Sequence, residues 1–453
     1  MLRVAVVGSG PSGVYTAQAL VQQSLVPDVH VDVLDRLPCP FGLVRYGVAP
    51  DHEKIKSLQN NLRAVLEEER IRFVGNVEVG TRGLAPARLR ELYHAVVYCV
   101  GAAKDRRLGV PGEDLPGSYS ATDFVSWYSA HPDAAGNGFA LAARSAVVIG
   151  VGNVAVDVTR ILARGAAELH PTDVPHTALG ALADSRVREV HMVGRRGPSQ
   201  AKFTTKELRE LGALPDAAVG VDPSDLELDP GYADPAGLPA VNRRNVEVVR
   251  AWAAASGTPP GRSRLIRLRF FLRPVELLAD GGRVGAVRFE RTAPDGTGGV
   301  RGTGTYEDIE AQLVLRAVGY RGVPLDGLPF DPQRGTVPHS AGRVLREGAP
   351  SPGEYVAGWI KRGPTGVIGS NRACAKETVT SLLADAPELL SAHRIEGEPL
   401  ALLRELGHHP VEWPGWLAIE QAESTLGRSL GRRSVKIPDW AGLLSAARGE
   451  AVA

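Results

Sequence analysis

Cysteine, methionine and long apolar runs are scarce in this chain. Its 453 residues include 3 cysteines and 2 methionines. Cys39, Cys99 and Cys374 form no C-x-x-C or C-x4-C pair, so we expect neither a redox dithiol nor an iron–sulfur cluster. No stretch reaches the roughly 18 consecutive apolar residues of a membrane span, so we expect no membrane insertion. We also predict no metal site.

Charge of one sign is not in excess either. Lys and Arg number 52, Asp and Glu number 51, and the formal net charge is +1. This balance gives no reason to expect a nucleic-acid partner. The first residues lead directly into an apolar strand, so we expect no signal peptide, and the few scattered cysteines fit a reducing, cytoplasmic setting. The length predicts two or three domains.

Glycine is abundant, and it forms a motif near the start of the chain. The apolar run Val4–Val7 predicts a buried parallel strand, and G-x-G-x-x-G follows it. Gly8 permits a tight turn, Gly10 lets the backbone approach a pyrophosphate, and Gly13 lets the next helix pack closely. Ser12 can donate its hydroxyl to a phosphate. The motif therefore predicts a dinucleotide site.

The residues after this motif describe its ligand. A helix over Val14–Gln22 would direct free N–H groups at the phosphates, and a strand over Val29–Leu34 ends in Asp35. An acidic residue at that position accepts hydrogen bonds from ribose hydroxyls. The first site therefore suits an adenosine without a 2′-phosphate, and both FAD and NAD qualify.

A second motif follows the apolar run Val147–Ile149. It comprises Gly150, Val151, Gly152, Asn153, Val154 and Ala155. The next predicted strand, Glu189–Gly194, ends in Arg195 and Arg196 instead of an acid. Guanidinium groups bind phosphate oxygens in pairs, so this site favours a 2′-phosphate and hence NADP. An ordinary strand–helix turn is the alternative for either motif alone.

Two further apolar runs, 95–100 and 312–320, are placed to be the exit strand, that is, the last strand, of each nucleotide-binding domain. The sequence therefore predicts an α/β protein of two Rossmann-like domains, the second inserted in the first. We place the first domain at 1–104 plus 325–453 and the second at 105–324. We expect 163–186 and 212–239 to be irregular surface segments. The tail cluster Arg428, Arg432, Arg433 and Lys436 should lie on the surface.

Four longer sequence segments identify a protein family more specifically than the glycine motifs do. They are Pro40–His52, Val193–Pro198, Phe203–Glu210 and Gly358–Gly369. With them the chain resembles the adrenodoxin-reductase-type ferredoxin–NADP reductases, in particular their actinobacterial FprA group. The resemblance covers nearly the whole chain and weakens after about residue 380. It implies a glutathione-reductase-like FAD/NAD(P) fold of two three-layer domains.

The resemblance also implies an activity and a set of site residues. An enzyme of this family takes a hydride from NADPH onto FAD and passes single electrons to a separate iron–sulfur ferredoxin, which can feed a cytochrome P450. Besides the glycine turns, the FAD contacts implied are Ser12, Asp35, Leu43, Val79, Trp359, Gly366, Val367 and Ile368. The NADP contacts implied are Arg106, Val151, Gly152, Asn153, Val154, Arg195, Arg196, Glu207 and Gly366. His52 and Glu210 would lie near the nicotinamide and flavin. The family usually has Glu where this chain has Asp35.

Some of these roles have a physical basis in the sequence itself. A helix that begins at Gly366–Ile368 would present N–H groups to the flavin edge where negative charge collects on reduction. His52 follows Asp51, a natural N-cap, so the alternative for His52 is a cap or surface residue. Glu207 and Glu210 lie one helical turn apart, so a solvated helix face is the alternative for both.

Other two-dinucleotide flavoproteins remain alternatives. A pyridine-nucleotide–disulfide reductase shares both glycine turns but needs a dithiol. A flavin monooxygenase or a glutamate-synthase-type electron-input subunit shares the fold class. A nucleotide-binding sensor without turnover is the alternative from outside the enzymes.

Overall fold

The chain forms two compact units. The computed structural model describes residues 1–80, 82–255, 261–392, 395 and 397–450. The first unit comprises Met1–Lys104 and Tyr320–Ala453, and the second comprises Asp105–Gly319. The sequence predicts a return to the first domain at residue 325, whereas the structure divides the chain at Tyr320. Within the described ranges, no helix is long and apolar enough to cross a membrane.

The strands, in chain order, are β1 Leu2–Val7, β2 Val29–Leu34, β3 Ile71–Val74, β4 Ala95–Tyr98, β5 Lys104–Asp105, β6 Ser118–Ser120, β7 Ser145–Ile149, β8 Glu189–Val193, β9 Ala217–Val221, β10 Arg264–Arg269, β11 Leu272–Asp280, β12 Arg283–Pro294, β13 Val300–Glu310, β14 Leu313–Arg316, β15 Tyr320–Arg321, β16 His339–Ser340, β17 Arg343–Arg346 and β18 Ala349–Val356.

The helices, in the same order, are α1 Pro11–Gln22, α2 Leu43–Tyr46, α3 Glu53–Lys56, α4 Leu58–Leu66, α5 Pro86–Leu92, α6 Ala121–Tyr128, α7 Asn153–Ala163, α8 Ala166–Leu169, α9 His176–Ala183, α10 Thr205–Gly212, α11 Pro230–Ala233, α12 Ala240–Ala254, α13 Trp359–Arg362, α14 Ser370–Ala392, α15 Pro399–Glu405, α16 Trp413–Ser429 and α17 Trp440–Ala447. Three 3-10 turns lie at Pro132–Ala134, Pro198–Gln200 and Pro223–Asp225.

The first unit is built on a seven-stranded sheet in the order β16-β17-β18-β4-β1-β2-β3. Strand β1 pairs in parallel with β2 and β4. Val4 and Val6 pack on one face with residues of α1 and α14, whereas Ala5 and Val7 pack on the other face with residues of α5. Because both faces are covered, the strand reads as an uninterrupted apolar run.

The second unit repeats this plan around a six-stranded sheet in the order β6-β14-β7-β8-β10-β9. All its neighbouring strands are parallel. Ala146 and Val148 face residues of α7, while Val147 and Ile149 face the antiparallel sheet β11-β12-β13. Helices, a parallel sheet and a second sheet thus form three layers. The predicted fold class is confirmed. The two predicted runs form β4 and β14, and each pairs in parallel with the strand that leads into a glycine turn, β1 and β7 respectively.

Two segments that were predicted to be irregular contain regular structure. The segment 163–186 includes α9, whose Leu179 and Leu182 are buried, and 212–239 includes β9 at the edge of the six-stranded sheet. The prediction was wrong because Ala and Gly hide the periodicity of short elements. Contacts with neighbouring elements then decide their conformation.

A buried ion pair fastens the C-terminal tail to the body of the first unit. The Arg45 guanidinium lies 2.6 Å from the Glu423 carboxylate, and each side chain is 4% exposed. Arg45 also lies 5.0 Å over the Trp416 ring. Lys436 Nζ donates to the Arg45 carbonyl oxygen at 2.5 Å. The predicted surface location is therefore wrong for Lys436 and for Arg432, which are both buried.

Removing this carboxylate should destabilise the first unit. Glu423→Gln leaves the Arg45 charge buried without its counter-ion, a change that costs about 3–5 kcal/mol in proteins. We expect urea unfolding, followed by circular dichroism, to show a loss of that size. Glu420→Gln, on the same helix, breaks the half-exposed pair with Arg63 and should cost at most about 1 kcal/mol. Equal losses in the two variants would contradict the assigned importance of the buried pair.

Candidate functional site

The two glycine turns have the same backbone construction. Gly8 N donates to Leu34 O at 2.7 Å, and Gly150 N donates to Val193 O at 2.9 Å. Both glycines have left-handed φ angles, +110° and +142°. A Cβ on Gly8 would lie 2.6 Å from Cys99 O, and one on Gly150 would lie 2.3 Å from the Ala317 carbonyl oxygen. Only glycine fits at either position.

Each turn opens a helix whose N-terminus lacks a side-chain cap. Gly10 is the N-cap of α1 and Gly152 is the N-cap of α7, and neither first turn contains an acidic residue. A Cβ on Gly13 would lie 1.8 Å from Gly8 O, so α1 packs directly on the turn. Uncapped first-turn N–H groups and the positive end of the helix dipole suit a phosphate.

Asp35 closes the first turn from the end of β2. Its Oδ2 accepts from Ser9 N at 2.9 Å and from Ser9 Oγ at 2.5 Å, and its Oδ1 accepts from Leu37 N at 2.9 Å. Burial raises the pKa of Asp35, against the opposing effect of these hydrogen bonds. A carboxylate offers about four acceptor sites, so a ribose hydroxyl can still donate to it. That contact stays a prediction.

The segment that carries Leu43 packs against the same turn. Phe41 N donates to Ser9 O at 3.1 Å. Gly42 has φ +49°, and a Cβ there would lie 2.9 Å from the Gly10 Cα. Leu43 follows and is 39% exposed.

Val79 is placed near the first turn through Asp35. Val77 N donates to Asp35 O at 2.9 Å, and Val79 itself is buried. The predicted FAD residue Leu43 thus lies on a segment bonded to the first turn, and Val79 lies on a segment bonded to Asp35, which itself bonds to that turn.

Ser12 lies close to Gly358, a residue to which the sequence assigns no contact. The Ser12 Oγ is buried and has no hydrogen-bond partner among the described residues. A Cβ on Gly358, whose φ is +78°, would lie 2.4 Å from that oxygen. Gly358 therefore brings the segment with Trp359 against the first turn. The orphaned hydroxyl fits a phosphate oxygen of a dinucleotide.

Trp359 and His52 have local contacts of their own. Trp359 Nε1 donates to Thr365 O at 3.2 Å, and its ring lies 5.4 Å from that of Tyr320.

His52 is buried and is itself the N-cap of α3, so the prediction of Asp51 as the N-cap was wrong. The backbone after Ala49 turns one residue later than the residue types suggested, as His52 N bonds to Ala49 O.

The segment Gly366–Gly369 leads into the long helix α14. The helix begins at Ser370 and not at Gly366, and Ser370 N donates to Val367 O at 3.0 Å. Within the described chain, the N–H groups of Val367, Ile368 and Gly369 donate no hydrogen bond. Val367 is 72% exposed. These three N–H groups can therefore serve an anionic ligand at the helix N-terminus.

In the second unit, the predicted NADP residues gather around the second turn. Val151 O accepts from Lys202 N at 2.8 Å, and Asn153 Oδ1 accepts from Thr204 N at 2.8 Å. These bonds hold the start of α10, which carries Glu207, beside the turn. Glu207 is buried, and its Oε2 lacks a partner in the part of the chain described. Val154 follows in the first turn of α7.

Arg195 and Arg196 stand at the end of β8 next to this turn. A Cβ on Gly194 would lie 2.8 Å from the Val151 side chain, so the end of β8 lies in close contact with the second glycine turn. The Arg195 side chain is exposed and that of Arg196 is half-buried. Neither guanidinium forms an ion pair with another described residue. The pair can therefore receive a phosphate.

Two of the predicted site residues, Arg106 and Glu210, form hydrogen bonds or ion pairs with other residues of the second unit. Arg106 N donates to Gly319 O at 2.9 Å, and the Arg106 side chain is exposed. The Glu210 carboxylate lies 3.4 Å from the buried Arg160 guanidinium and 3.9 Å from Lys206 Nζ. Glu210 thus forms an ion pair within its unit. The catalytic roles of His52 and Glu210 stay predictions. The described ranges contain no group of three or more His, Cys, Asp or Glu that could hold a metal ion.

Comparison with known proteins supports one family. Residues 2–210 match the family described as pyridine nucleotide-disulphide oxidoreductase. The NADPH-ferredoxin reductase FprA of Mycobacterium leprae is 44% identical over 98% of this chain and 98% of the relative. The mitochondrial NADPH:adrenodoxin oxidoreductase of Arabidopsis thaliana is 40% identical over 98% of this chain and 95% of the relative.

The chain belongs to the family of NADPH-ferredoxin and adrenodoxin reductases. A solved structure of Mycobacterium tuberculosis FprA in complex with NADPH is 42% identical, covers 99% of this chain and 100% of its own, and superposes with a TM-score of 0.91. The resemblance inferred from the four sequence strings is confirmed. The reductase family shares its glycine turns with disulfide reductases, but this chain contains no C-x-x-C or C-x4-C pair.

The orphaned Ser12 hydroxyl provides a test of the first turn. Ser12→Ala removes a hydroxyl without a geometric hydrogen bond among the described residues, so we expect little change in the stability of the FAD-free form. The FAD dissociation constant should rise about tenfold, because one hydrogen bond contributes about 1–1.5 kcal/mol. Fluorescence titration of the FAD-free protein measures this change.

Thr16→Val is the matched control. Thr16 lies one helical turn further along α1, and its Oγ1 already donates to Ser12 O at 2.8 Å. We expect its FAD affinity to match the wild type. An unchanged FAD affinity in Ser12→Ala would exclude Ser12 as a ligand.

Proposed function

We propose that this protein is an FAD-containing NADPH–ferredoxin reductase. It would take a hydride from NADPH and deliver single electrons to a separate ferredoxin. The observation that carries the proposal is the contrast between two turns of the same construction. Asp35 closes the first turn with an acceptor, whereas Arg195 and Arg196 place two cations beside the second that form no ion pair with another described residue. The family membership confirms the enzyme class and both cofactors, FAD and NADP.

In this proposal the first unit holds FAD. The uncapped N-terminus of α1 and the Ser12 hydroxyl would bind its pyrophosphate, and Asp35 would accept from its ribose. The N–H groups of Val367, Ile368 and Gly369 would bind the flavin carbonyl edge. FAD supplies the chemistry of accepting two electrons as a hydride and releasing them one at a time. The helix N-terminus would stabilise the negative charge that reduction places there.

The second unit would hold NADPH. Arg195 and Arg196 would bind its 2′-phosphate with paired, charge-assisted hydrogen bonds. The uncapped N-terminus of α7 would bind the pyrophosphate, and the unpartnered oxygen of Glu207 would accept from a hydroxyl or amide of the nucleotide. Hydride transfer needs no strong general base, so orientation is a sufficient task for these residues.

The electron acceptor would be another protein. The whole sequence has only 3 cysteines, all of them buried, and their spacing holds no iron–sulfur cluster. The names of the relatives point to ferredoxin or adrenodoxin as the acceptor class. A cytochrome P450 as the final acceptor stays a prediction from the resemblance. So does a cytoplasmic location, since the relatives include both bacterial and mitochondrial proteins.

The two arginines should determine the choice between NADPH and NADH. The double variant Arg195→Gln/Arg196→Gln removes two charged hydrogen bonds of about 1.5–3 kcal/mol each. We expect kcat/KM for NADPH to fall at least about 100-fold. The value for NADH should change little, because NADH lacks the 2′-phosphate. Steady-state reduction of an artificial electron acceptor measures both.

The matched control removes two arginines from the opposite end of the same strand. Arg186 and Arg188 are exposed and precede β8. Arg186→Gln/Arg188→Gln loses the same charge, and we expect it to retain the preference for NADPH. Loss of the preference in this control as well would mean that general charge, and not the site, selects NADPH.

The acceptor class is tested by NADPH-driven reduction of cytochrome c with and without a native ferredoxin. We expect ferredoxin to raise the rate in proportion to its concentration until it saturates, since it carries single electrons between the two proteins. A lack of stimulation by every native ferredoxin would overturn the acceptor while leaving the flavin chemistry intact. A flavin band that NADPH does not bleach would instead favour a nucleotide-binding sensor without turnover.

A further inference from the structure

The loop 195–204 connects the Arg195–Arg196 pair to α10. It contains a single 3-10 turn, Pro198–Gln200, and otherwise no regular structure. Loops of this kind need side-chain bonds to keep one conformation. The bonds come largely from the segment 229–245, which lies later in the chain.

Asp229 makes the central contacts with this loop. Its Oδ2 accepts from Ser199 N at 2.8 Å, and its Oδ1 accepts from Ser199 Oγ at 2.6 Å. Asp229 is 2% exposed and Ser199 is 7% exposed. A buried carboxylate that receives two donors from one residue fixes both the position and the orientation of that residue.

The close approach of Asp229 explains a glycine in the loop. A Cβ on Gly197 would lie 2.3 Å from the Asp229 Oδ2 and 2.5 Å from its Cγ. Gly197 has an ordinary φ of −76°, so backbone strain does not require glycine here. Glycine is required here because the Asp229 carboxylate occupies the space that a side chain would need. Gly197 directly follows Arg196, so the carboxylate packs against the residue next to the proposed phosphate ligands.

Other side chains hold the loop on both sides of Ser199. Thr292 Oγ1 donates to Arg195 O at 2.8 Å. Asn242 Nδ2 donates to Ser199 O at 2.8 Å, and Asn245 Nδ2 donates to Phe203 O at 2.9 Å. The backbone is thereby attached to the body of the second unit at Arg195 and at two points after the arginine pair.

A local capping role alone does not account for Asp229. Its Oδ1 also accepts from Gly231 N at 3.0 Å and so caps the short helix α11. Asp222 does the same for its own turn, accepting from Ser224 N at 2.9 Å, and it is exposed. Asp229 differs because it is buried and reaches 30 positions back along the chain to Ser199.

We propose that Asp229 is a positioning residue for the 2′-phosphate site, and that it sets coenzyme selectivity through Ser199 and Gly197. By holding the turn after the arginines, it fixes the backbone from which both guanidinium groups extend. A preorganised pair loses less conformational entropy when it binds phosphate. This inference rests on the proposed function, because it assumes that Arg195 and Arg196 receive the 2′-phosphate of NADPH.

The test uses the full-length, FAD-loaded protein and isothermal titration with two probes. The probes are 2′,5′-ADP, which carries the 2′-phosphate, and 5′-AMP, which lacks it. We expect Asp229→Asn to raise the dissociation constant of 2′,5′-ADP about tenfold, equivalent to ~1.4 kcal/mol. The dissociation constant of 5′-AMP should change less than about twofold. In turnover, KM for NADPH should rise while kcat is kept.

Two further variants complete the test. Ser199→Ala keeps the bond from the Ser199 backbone to Asp229 and loses only the hydroxyl, so its effect should be smaller and in the same direction. It also keeps the test informative if Asp229→Asn folds poorly. Asp222→Asn, the exposed counterpart, should behave as the wild type with both probes.

The outcomes separate this inference from the proposed function. If the wild type binds 2′,5′-ADP no better than 5′-AMP, the NADP assignment fails and the inference fails with it. If the wild type shows the preference but Asp229→Asn and Ser199→Ala retain it in full, only the inference fails. A variant that weakens both probes equally, or that loses FAD, would show a general structural role and would also overturn it.

Discussion

Both nucleotide units depend on one close approach, that of a glycine to the carbonyl oxygen at the end of a neighbouring strand. Gly8 lies against Cys99 O, and Gly150 lies against Ala317 O, with no room for a side chain at either position. This contact sets a sharp turn directly after the first strand. The helix that follows then begins at the carboxyl end of the parallel strands. Its first N–H groups have no capping side chain, so a phosphate can bind there.

The same construction suits two different ligands, because the residues that follow β2 and β8 differ in charge. Asp35 bonds inward to Ser9 and Leu37, which keeps a negative group within the first turn. Arg195 and Arg196 extend from a loop that is held by bonds to Ser199 and to the Arg195 carbonyl oxygen. These bonds do not involve the two guanidinium groups, whose charges are therefore available to a ligand. A ligand without a 2′-phosphate suits the first arrangement, and one that carries it suits the second. This difference in charge supports the proposal that the second unit holds NADPH and the first holds FAD.

The long apolar strands of the fold followed from local sequence patterns, whereas short elements and side-chain contacts did not. The apolar runs of β1, β4, β7 and β14 predicted the two parallel sheets, because strands buried on both faces need apolar side chains throughout. The strand β9 and the helix α9 were missed, since short elements rich in Ala and Gly take their conformation from contacts with neighbours. The buried Lys436 looked like a surface residue, since a basic cluster in sequence carries no sign of its partner.

The amino-acid sequence alone determined the two nucleotide-binding units, the charge expected beside each ligand and the family. These depend on residue types at short, regular spacings. Only the tertiary structure decided which polar groups meet: Ser12 with Gly358, Asp229 with Ser199, and Arg45 with Glu423, the last pair 378 positions apart. The physical reason is that a buried hydrogen bond or ion pair requires proximity and orientation. Many residues in the chain have the right chemistry for each bond, and the packing of strands and helices brings only a few of them within reach.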